Sequence, residues 1–111
     1  IVLDLPTQIL RLPFESILYI KASGHYCTLY TTDDHREYRI KQALDVLRKK
    51  LPPHLFAQCH RSFIVNLIYI RNISNGDITM ANGSVVKMSR NYQSQLIKQF
   101  RQYYLGGTSE C

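Results

Sequence analysis

Residues 59–70 constrain the fold of this chain more than any other stretch. The later part of the stretch, residues 64–70, is mostly apolar and β-branched, which favours a strand that is buried on at least one face. The four residues before it read Cys-His-Arg-Ser. We therefore predict a polar loop over residues 58–62 that a buried strand holds in place. Its Arg61 is suited to two-pronged recognition of a phosphate or a guanine edge.

Short strand patterns dominate the first 41 positions. One of them is continuously apolar, which fits burial on both faces, and another alternates polar and apolar residues like the returning strand of a hairpin. Ser23-Gly24 and Asp33-Asp34 supply turn signals. We predict strands over residues 7–12 (an edge strand with prolines at its ends), 16–20, 26–32 and 37–41.

Two Asn-Gly pairs, at positions 75–76 and 82–83, are the strongest hairpin signals in the chain. A type I′ turn needs a positive φ at both central residues, and Asn-Gly tolerates that conformation well. We therefore predict a meander of three strands over residues 67–73, 77–81 and 84–87. Apolar residues fall on alternate positions of its last two strands, so they should face one core.

Two segments have helical periodicity. Leucines recur at helical spacing before Pro52-Pro53, which predicts one short internal helix. An apolar stripe over residues 92–104 predicts a C-terminal helix with Ser89 as its N-cap and Gly106-Gly107 at its end, and we interpret the stripe as a packing face. The basic residues 48–50 complement the negative end of the first helix, so we assign them to helix stability.

The size of the chain allows one domain. It has 111 residues, of which 45% are hydrophobic, which is enough for a single core. It lacks an apolar run near the ~20 residues of a membrane span. Its start carries neither a basic leader nor an initiator Met, so we expect a piece of a longer protein without a signal peptide. We predict a domain over residues 1–105 and a flexible tail over residues 106–111.

Positive charge is concentrated in the second half of the chain. Lys and Arg number 14 against 8 Asp and Glu, a net charge of +6, and Asp77 is the only acid between Asp45 and Glu110. A field of one sign favours an acidic polymer as the partner, whereas a basic surface without a target is an equal alternative on charge alone.

Three cysteines, at positions 27, 59 and 111, do not make a disulfide framework. Cys27 and Cys59 lie among strand formers, where a thiol behaves as a small buried hydrophobe, so we expect reduced thiols and a cytoplasmic protein. Cys59 and His60 are adjacent and point to opposite faces of an extended chain, so they cannot form a catalytic dyad with each other.

A zinc site from His25, Cys27 and residues 59–60 is a weaker alternative, because the thiols lie inside apolar strands rather than on tight loops. The chain also lacks paired carboxylates, a phosphate-cradling glycine loop and a strained serine elbow. We therefore expect no metal, no cofactor and no enzymatic activity.

Three polar loops, over residues 21–26, 58–62 and 87–93, suit binding better than catalysis. Imidazole, guanidinium and amide side chains are the groups that read base edges and phosphates. The candidate groove contacts are His25, Arg61, Arg90, Asn91 and Gln93. His25 can equally be a solvated turn residue, and Asn66, inside the predicted strand, is better explained as a partner of nearby backbone.

The run HRSFIVN at residues 60–66 resembles the signature of the LytTR family, the DNA-binding output domains of LytR/AlgR-type bacterial response regulators. The resemblance extends over nearly the whole chain. It includes the strand at residues 17–20 with the Gly-His-Tyr turn at 24–26, the helix that ends at Leu51-Pro52, and the Lys-Met-Ser-Arg turn at 87–90 before Asn-Tyr.

The resemblance implies a mainly β fold, an elongated stack of small, mostly antiparallel sheets with one short internal helix and a C-terminal helix. Loops of such a domain enter successive major grooves of double-stranded DNA. The resemblance further implies transcription regulation in a two-component system, behind an N-terminal receiver domain that is absent from this chain. It allows a homodimer on paired promoter sites.

The resemblance also assigns roles to the loops. It implies groove contacts by His25 with Tyr26, by Arg61, and by Arg90 with Asn91. Phosphates would be held by Lys21, Lys41, Gln42 and Lys87. The complete implied DNA-binding set is Lys21, His25, Tyr26, Lys41, Gln42, His60, Arg61, Ser62, Lys87, Ser89, Arg90, Asn91 and Gln93. On this plan Arg61 and Arg90 face two grooves about one helical turn, ~10 bp, apart.

A second hypothesis is a β-rich module that binds RNA or single strands. Tyr26, Tyr30 and Tyr38 would then be the platforms on which bases stack.

Overall fold

Three antiparallel sheets, of two, five and three strands, form an elongated body of 48 × 25 × 24 Å. The computed structural model describes residues 1–33 and 36–106. The elements are β1 (Val2–Leu5), β2 (Gln8–Arg11), β3 (Ile17–Ser23), β4 (Tyr26–Thr31), β5 (Glu37–Ile40), α1 (Leu44–Lys50), β6 (Phe56–His60), β7 (Phe63–Asn66), β8 (Ile70–Ser74), β9 (Asp77–Met80), β10 (Val85–Lys87) and α2 (Arg90–Leu105). The predicted fold class, an elongated stack of small sheets with a short internal helix and a C-terminal helix, is confirmed.

The five-stranded sheet is the middle layer, with the strand order β5-β4-β3-β7-β6. Successive side chains of a strand point to opposite faces, so its strands feed two separate cores. Ile20 and Ile64 pack with α1 and the β1–β2 hairpin, whereas Tyr19 and Val65 face α2 and the three-stranded sheet. The continuous apolar character of β3 and β7 therefore reflects burial on both faces, as we predicted for residues 16–20.

Two predictions for the central stretch are wrong. Strand β6 includes positions 58–60, so only Arg61 and Ser62 form the turn that was predicted as a five-residue loop. The apolar run that follows is not one strand, because a 3₁₀ turn at Leu67–Tyr69 separates β7 from β8. The 3₁₀ turn moves the chain from the five-stranded to the three-stranded sheet, a step that local β propensity cannot reveal.

The start of the chain also differs from the prediction. Strand β1 was not predicted, and it pairs with β2 along its whole length, with Val2 opposite Arg11 and Leu5 opposite Gln8. Strand β3 runs on to Ser23, beyond the predicted end at residue 20. Strand β1 and the extra residues of β3 include polar residues, such as Asp4 and Lys21, which sequence patterns do not assign to strands. They can lie in strands because cross-strand hydrogen bonds are made by the backbone, whatever the side chain.

The two Asn-Gly pairs form different turns within the predicted meander. Asn75 and Gly76 have φ angles of 51° and 78°, as the predicted type I′ turn requires. At the second pair Gly83 has a φ of 90°, but Asn82 does not adopt a positive φ. The Asn82 side chain instead accepts a hydrogen bond from the Ser84 amide at 3.0 Å, as in an Asx turn. The type I′ prediction is therefore wrong for the second turn.

Both predicted helices are present. Ser89 occupies the N-cap of α2, although its side chain makes no capping hydrogen bond, and Gly106 ends the helix with a left-handed φ of 74°. No helix among the described residues is long and apolar enough to cross a membrane. Residues 107–111 of the predicted tail, and Asp34 of the predicted turn, lie outside the described residues.

Asn66 ties the central stretch to the segment before β3. Its side chain is only 2% exposed. Its Nδ2 donates to the carbonyl oxygens of Phe14 at 3.1 Å and Ile17 at 2.9 Å, and its Oδ1 accepts from the Ile68 amide at 3.3 Å. Three backbone groups are thereby satisfied, two of them about fifty positions away in sequence. The interpretation of Asn66 as a partner of backbone is confirmed.

Replacing Asn66 with Ala should destabilise the fold by about 3–5 kcal/mol, because each buried backbone group left unpaired costs about 1–3 kcal/mol. Urea unfolding should show a lower midpoint. The matched control is Asn72→Ala at an exposed position of β8, which should change the free energy of unfolding by less than about 0.5 kcal/mol. Similar stability of the two variants would contradict the role of Asn66.

Candidate nucleic-acid interface

Two of the three predicted loops meet at one end of the five-stranded sheet. Residues 24–25 form the β3–β4 turn, and residues 61–62 form the β6–β7 turn. The turns are neighbours because β3 pairs with β7, and the Ala22 amide donates a hydrogen bond to the Ser62 carbonyl at 2.8 Å. Two segments nearly forty residues apart in sequence are thus fixed side by side.

The third loop reaches the same end through β6. The Ser89 amide donates to the Cys59 carbonyl at 2.8 Å, and the Cys59 thiol donates to the Lys87 carbonyl at 3.4 Å. Strand β5 also finishes there, since Ile40 lies opposite Cys27 near the start of β4. We call this end of the sheet the loop rim, and we define it as residues 24–25, 41–42, 61–62 and 87–91.

The β3–β4 turn presents His25 on a two-residue loop. Ser23 pairs with Tyr26, which leaves only Gly24 and His25 between the strands. Gly24 has a φ of 62°, the left-handed value that a type II′ turn needs at its first central position. Because a turn of two residues has little freedom, His25 is held at a defined place on the loop rim.

The β6–β7 turn presents Arg61 in the same way. The His60 Nδ1 accepts a hydrogen bond from the Ser62 amide at 3.0 Å, and the Gln58 Nε2 donates to the His60 carbonyl at 3.2 Å. The His60 ring also packs edge-on against Phe63, with 5.5 Å between the ring centroids. Arg61 is exposed at the tip of this braced turn.

Exposure divides the predicted DNA-binding residues into two groups. The exposed group, which a nucleic acid can reach directly, is Lys21, His25, Tyr26, Lys41, Arg61, Lys87, Arg90, Asn91 and Gln93. The half-buried group is Gln42, His60, Ser62 and Ser89. Each member of the second group bonds to the protein itself, through its side chain or its backbone. These four residues shape the loop rim.

Lys87 has a partner within the protein that sequence reasoning missed. Its Nζ lies 3.2 Å from Oδ1 of Asp77, the residue opposite it in the β9–β10 pair. An exposed ion pair of this kind contributes only ~0–1 kcal/mol, so Lys87 can exchange the carboxylate for a phosphate at little cost. The sequence signal was available, since Asp77 is the only acid between Asp45 and Glu110.

The three tyrosines of the single-strand hypothesis do not form one platform. Tyr26 and Tyr30 share one face of β4, whereas Tyr38 packs against the core on the other face of the sheet. One face of the Tyr26 ring is covered by the Arg39 guanidinium, 4.1 Å from the ring centroid. Tyr30 is stacked on Tyr19 at 4.5 Å. Stacking of successive bases needs neighbouring free ring faces, and here one face of Tyr26 and one face of Tyr30 are already occupied.

The cysteines lie in different cores. Cys27 belongs to the core that contains α1, and Cys59 belongs to the core that contains α2. Burial raises the pKa of both thiols, that of Cys59 to about 12, so they stay protonated at neutral pH. Among the described residues, no group of three or more His, Cys, Asp or Glu side chains is placed to hold a metal ion.

A groove of about 480 Å³ lies between the end of α1 and α2. Two cations, Arg48 and Lys49, and the amides of Gln58, Gln95 and Gln99 contribute its polar lining, and the remaining lining is Tyr92 and apolar side chains. Among these lining residues there is no carboxylate, imidazole or thiol.

The hydrogen bond between Ser89 and Cys59 limits the distance between Arg61 and Arg90. Cα steps of about 3.8 Å and a bonded-pair spacing of about 5.5 Å put the two Cα atoms at most ~17 Å apart. One turn of B-DNA is about 34 Å. The backbone positions therefore do not support a full turn between these arginines. His25 lies beyond the β6–β7 turn, on the side away from Arg90.

Proteins of a known family are similar in sequence to this chain over most of its length. The LytTr DNA-binding domain family matches residues 7–101. The sensory transduction protein LytT of Bacillus subtilis (strain 168) is 34% identical over 89 residues, which is 76% of this chain and 36% of that protein. The LytT of Bacillus anthracis is 33% identical over 104 residues, 89% of this chain and 42% of that protein. The chain thus spans less than half the length of these relatives.

A solved structure agrees with the sequence comparison. A LytTr DNA-binding domain of a Bacillus cereus protein superposes with a TM-score of 0.75 and 27% identity, over 89% of this chain and 94% of the other. The family match takes in every segment of the loop rim. The resemblance carried by residues 60–66 is confirmed, and the chain belongs to the LytTR family of DNA-binding domains.

Proposed function

We propose that the loop rim reads the sequence of double-stranded DNA by placing turn residues in its grooves. One observation carries the proposal: two turns and the start of α2, from distant parts of the chain, put exposed His25, Arg61 and Arg90 at one end of one sheet. Among the described residues, none of these three side chains has an ion-pair partner. Their donors are free for a ligand.

The residue types suit base edges. A guanidinium forks onto O6 and N7 of guanine, and the amide of Asn91 or Gln93 matches N6 and N7 of adenine. Because short turns between paired strands hold His25 and Arg61, little conformational entropy is lost when they enter a groove. Arg90 and Asn91 begin α2, whose first turn is anchored to β6 by the Ser89 amide.

Phosphate contacts would flank the reading residues. Lys21 and Lys41 are exposed beside the β3–β4 turn, and Lys87 is exposed beside the start of α2. Contacts of this kind set the register of the protein on the duplex without reading sequence. They also release counterions, so binding should weaken steeply with salt.

The width of the loop rim supports contact with more than one groove segment. Five strands spaced about 4.8 Å apart span ~19 Å, which exceeds the ~12 Å width of a major groove. His25 and Arg90 lie toward opposite sides of the β6–β7 turn and are the most widely separated of the three residues. Because ~19 Å is shorter than the ~34 Å of one DNA turn, contact with successive major grooves would require the added reach of their side chains. Arg61 lies between them and would read base edges close to the Arg90 contact.

The domain would serve as the output module of a two-component transcription regulator. Its relatives from Bacillus subtilis and Bacillus anthracis are sensory transduction proteins more than twice as long as the matched region. A receiver domain in the remaining length would supply phosphorylation control. Binding as a homodimer on paired promoter sites would let two weak contacts act together, with affinity raised through effective concentration.

Arg61→Ala and Arg90→Ala should each weaken binding to the preferred duplex by about 1–3 kcal/mol and relax preference at a few base pairs, because each removes a bidentate base contact. Lys41→Ala should weaken all duplexes by a similar factor and reduce the salt slope by roughly one unit. Fluorescence anisotropy on a duplex selected from a random pool, compared with random duplex and with single strands, measures all three quantities.

The control for the arginine variants is Arg101→Ala, an exposed position about 16 Å further along α2. It removes the same charge without touching the loop rim, so sequence preference should not change. Circular dichroism must show that every variant is folded. Unchanged preference in both Arg61→Ala and Arg90→Ala would rule out the proposed reading surface, and preferred binding of single strands would favour the RNA hypothesis.

Asp77→Asn should raise affinity for specific and random duplex alike by about two- to five-fold at low salt, because Lys87 is released from its ion pair and a negative charge leaves the loop rim. The matched control is Asp45→Asn, which breaks the comparable 3.3 Å pair with Arg48 in α1. Both variants change the net charge equally. An equal rise in affinity for both would show that net charge, and not Lys87, is responsible.

A further inference from the structure

The half-buried position of His60 separates it from the exposed residues of the loop rim. Its Nδ1 accepts the Ser62 amide at 3.0 Å, its ring packs edge-on against Phe63, and its carbonyl accepts from the Gln58 side chain at 3.2 Å. Two contacts thus hold the imidazole, and the third holds the backbone of the same residue. All three are to the protein.

We propose that neutral His60 is a positioning residue, which holds the Arg61 turn in its DNA-reading conformation by accepting the Ser62 amide, and that this brace is released when the imidazole is protonated. The inference rests on the proposed function of the loop rim. It replaces the sequence-based expectation that His60 itself contacts DNA.

The acceptor role of Nδ1 makes the brace depend on protonation. A neutral imidazole carries one proton and offers its other nitrogen as an acceptor, whereas an imidazolium has two donors and no acceptor. The Ser62 amide can therefore be held only by the neutral form with its proton on Nε2. Loss of the bond frees the amide next to Arg61, while the Ser62 carbonyl stays bonded to the Ala22 amide. The turn is then anchored on one side only.

The charged groups on the elements around His60 are mainly cationic. Its own turn contributes Arg61, the neighbouring strand β3 contributes Lys21, and the loop that packs on β6 contributes Lys87 and Arg90. The carboxylate on these elements is that of Asp77, which Lys87 engages.

Protonation of His60 would therefore have two separable effects on DNA binding. An added positive charge strengthens attraction to any duplex, whereas a loosened Arg61 turn weakens discrimination between duplexes. The ratio of specific to random affinity should fall between pH 7.5 and pH 5.5, the interval in which histidine is the side chain that changes charge. Affinity for random duplex should not fall with it.

The test compares wild type, His60→Ala and His60→Asn at pH 7.5 and pH 5.5. The side-chain carbonyl of Asn can accept the amide two residues on and does not titrate. At pH 7.5 His60→Ala should lose about five-fold in the affinity ratio, the effect of one ordinary hydrogen bond, and His60→Asn should recover most of it. At pH 5.5 the wild type should approach His60→Ala, while His60→Asn keeps its ratio. His25 is present in every variant, so differences between variants isolate residue 60.

A measurement without DNA separates this inference from the proposed function. Amide hydrogen exchange at Ser62, followed by NMR in the free protein, should be slowest in neutral wild type and faster in His60→Ala and at pH 5.5, after correction for intrinsic exchange rates. Nitrogen shifts of His60 should report the Nε2-protonated tautomer at pH 7.5. Slow Ser62 exchange in His60→Ala, or an Nδ1-protonated tautomer, would overturn the brace whatever the DNA results show. An intact brace in a domain without any duplex preference would instead refute the proposed function alone.

Discussion

Burial of both faces of the five-stranded sheet is the constraint on which the rest of the structure depends. An antiparallel sheet can leave one face in water, but β3 and β7 carry large apolar side chains on both faces, such as Ile20 and Ile64 on one and Tyr19 and Val65 on the other. Helix α1 with the β1–β2 hairpin covers one face, and α2 with the three-stranded sheet covers the other. With both faces occupied, the ends of the strands are the part of this sheet that remains open, and the loop rim is one of those ends.

This layering explains why strand-end turns and the first turn of α2, rather than a helix laid along a groove, would present the residues that we propose to read DNA. Each of the strand-end turns joins two strands that pack into the two cores, so the exposed residues of the turn are held in a fixed position. The same hydrogen-bonding logic reaches α2, because the Ser89 amide bonds to Cys59 in β6. Polar side chains that are buried or half-buried hold nearby backbone groups in place by hydrogen bonds. Asn66 satisfies three backbone groups where the chain leaves the middle sheet, and the His60 imidazole satisfies one beside Arg61.

Electrostatics at the loop rim combines a general and a local component. The net charge of +6 attracts a polyanion from any direction, whereas the exposed lysines and arginines at the strand ends determine where it docks. The ion pair between Lys87 and Asp77, which lie opposite each other in the β9–β10 pair, reduces the local positive charge. Because the pair is exposed, a phosphate can replace the carboxylate with little change in free energy. If the turns read sequence as we propose, DNA affinity could be adjusted at Asp77 without altering them.

The sequence by itself determined the elements whose signals are local: the alternation in β9 and β10, the type I′ turn at Asn75-Gly76, the helical spacing in α1 and α2, and the family signature at residues 60–66. Tertiary structure decided the rest. Two features depend on contacts between distant segments: the 3₁₀ turn at Leu67–Tyr69, which separates β7 from β8, and the pairing of β1 with β2. Local sequence patterns therefore do not predict them. Tertiary structure also brings His25, Arg61 and Arg90 to one end of the sheet. This placement depends on backbone hydrogen bonds such as those between β3 and β7, and such bonds depend little on which side chains the residues carry. The sequence suggested that His60 is a contact residue, whereas its hydrogen bond from the Ser62 amide is visible only in the tertiary structure and supports the proposed brace.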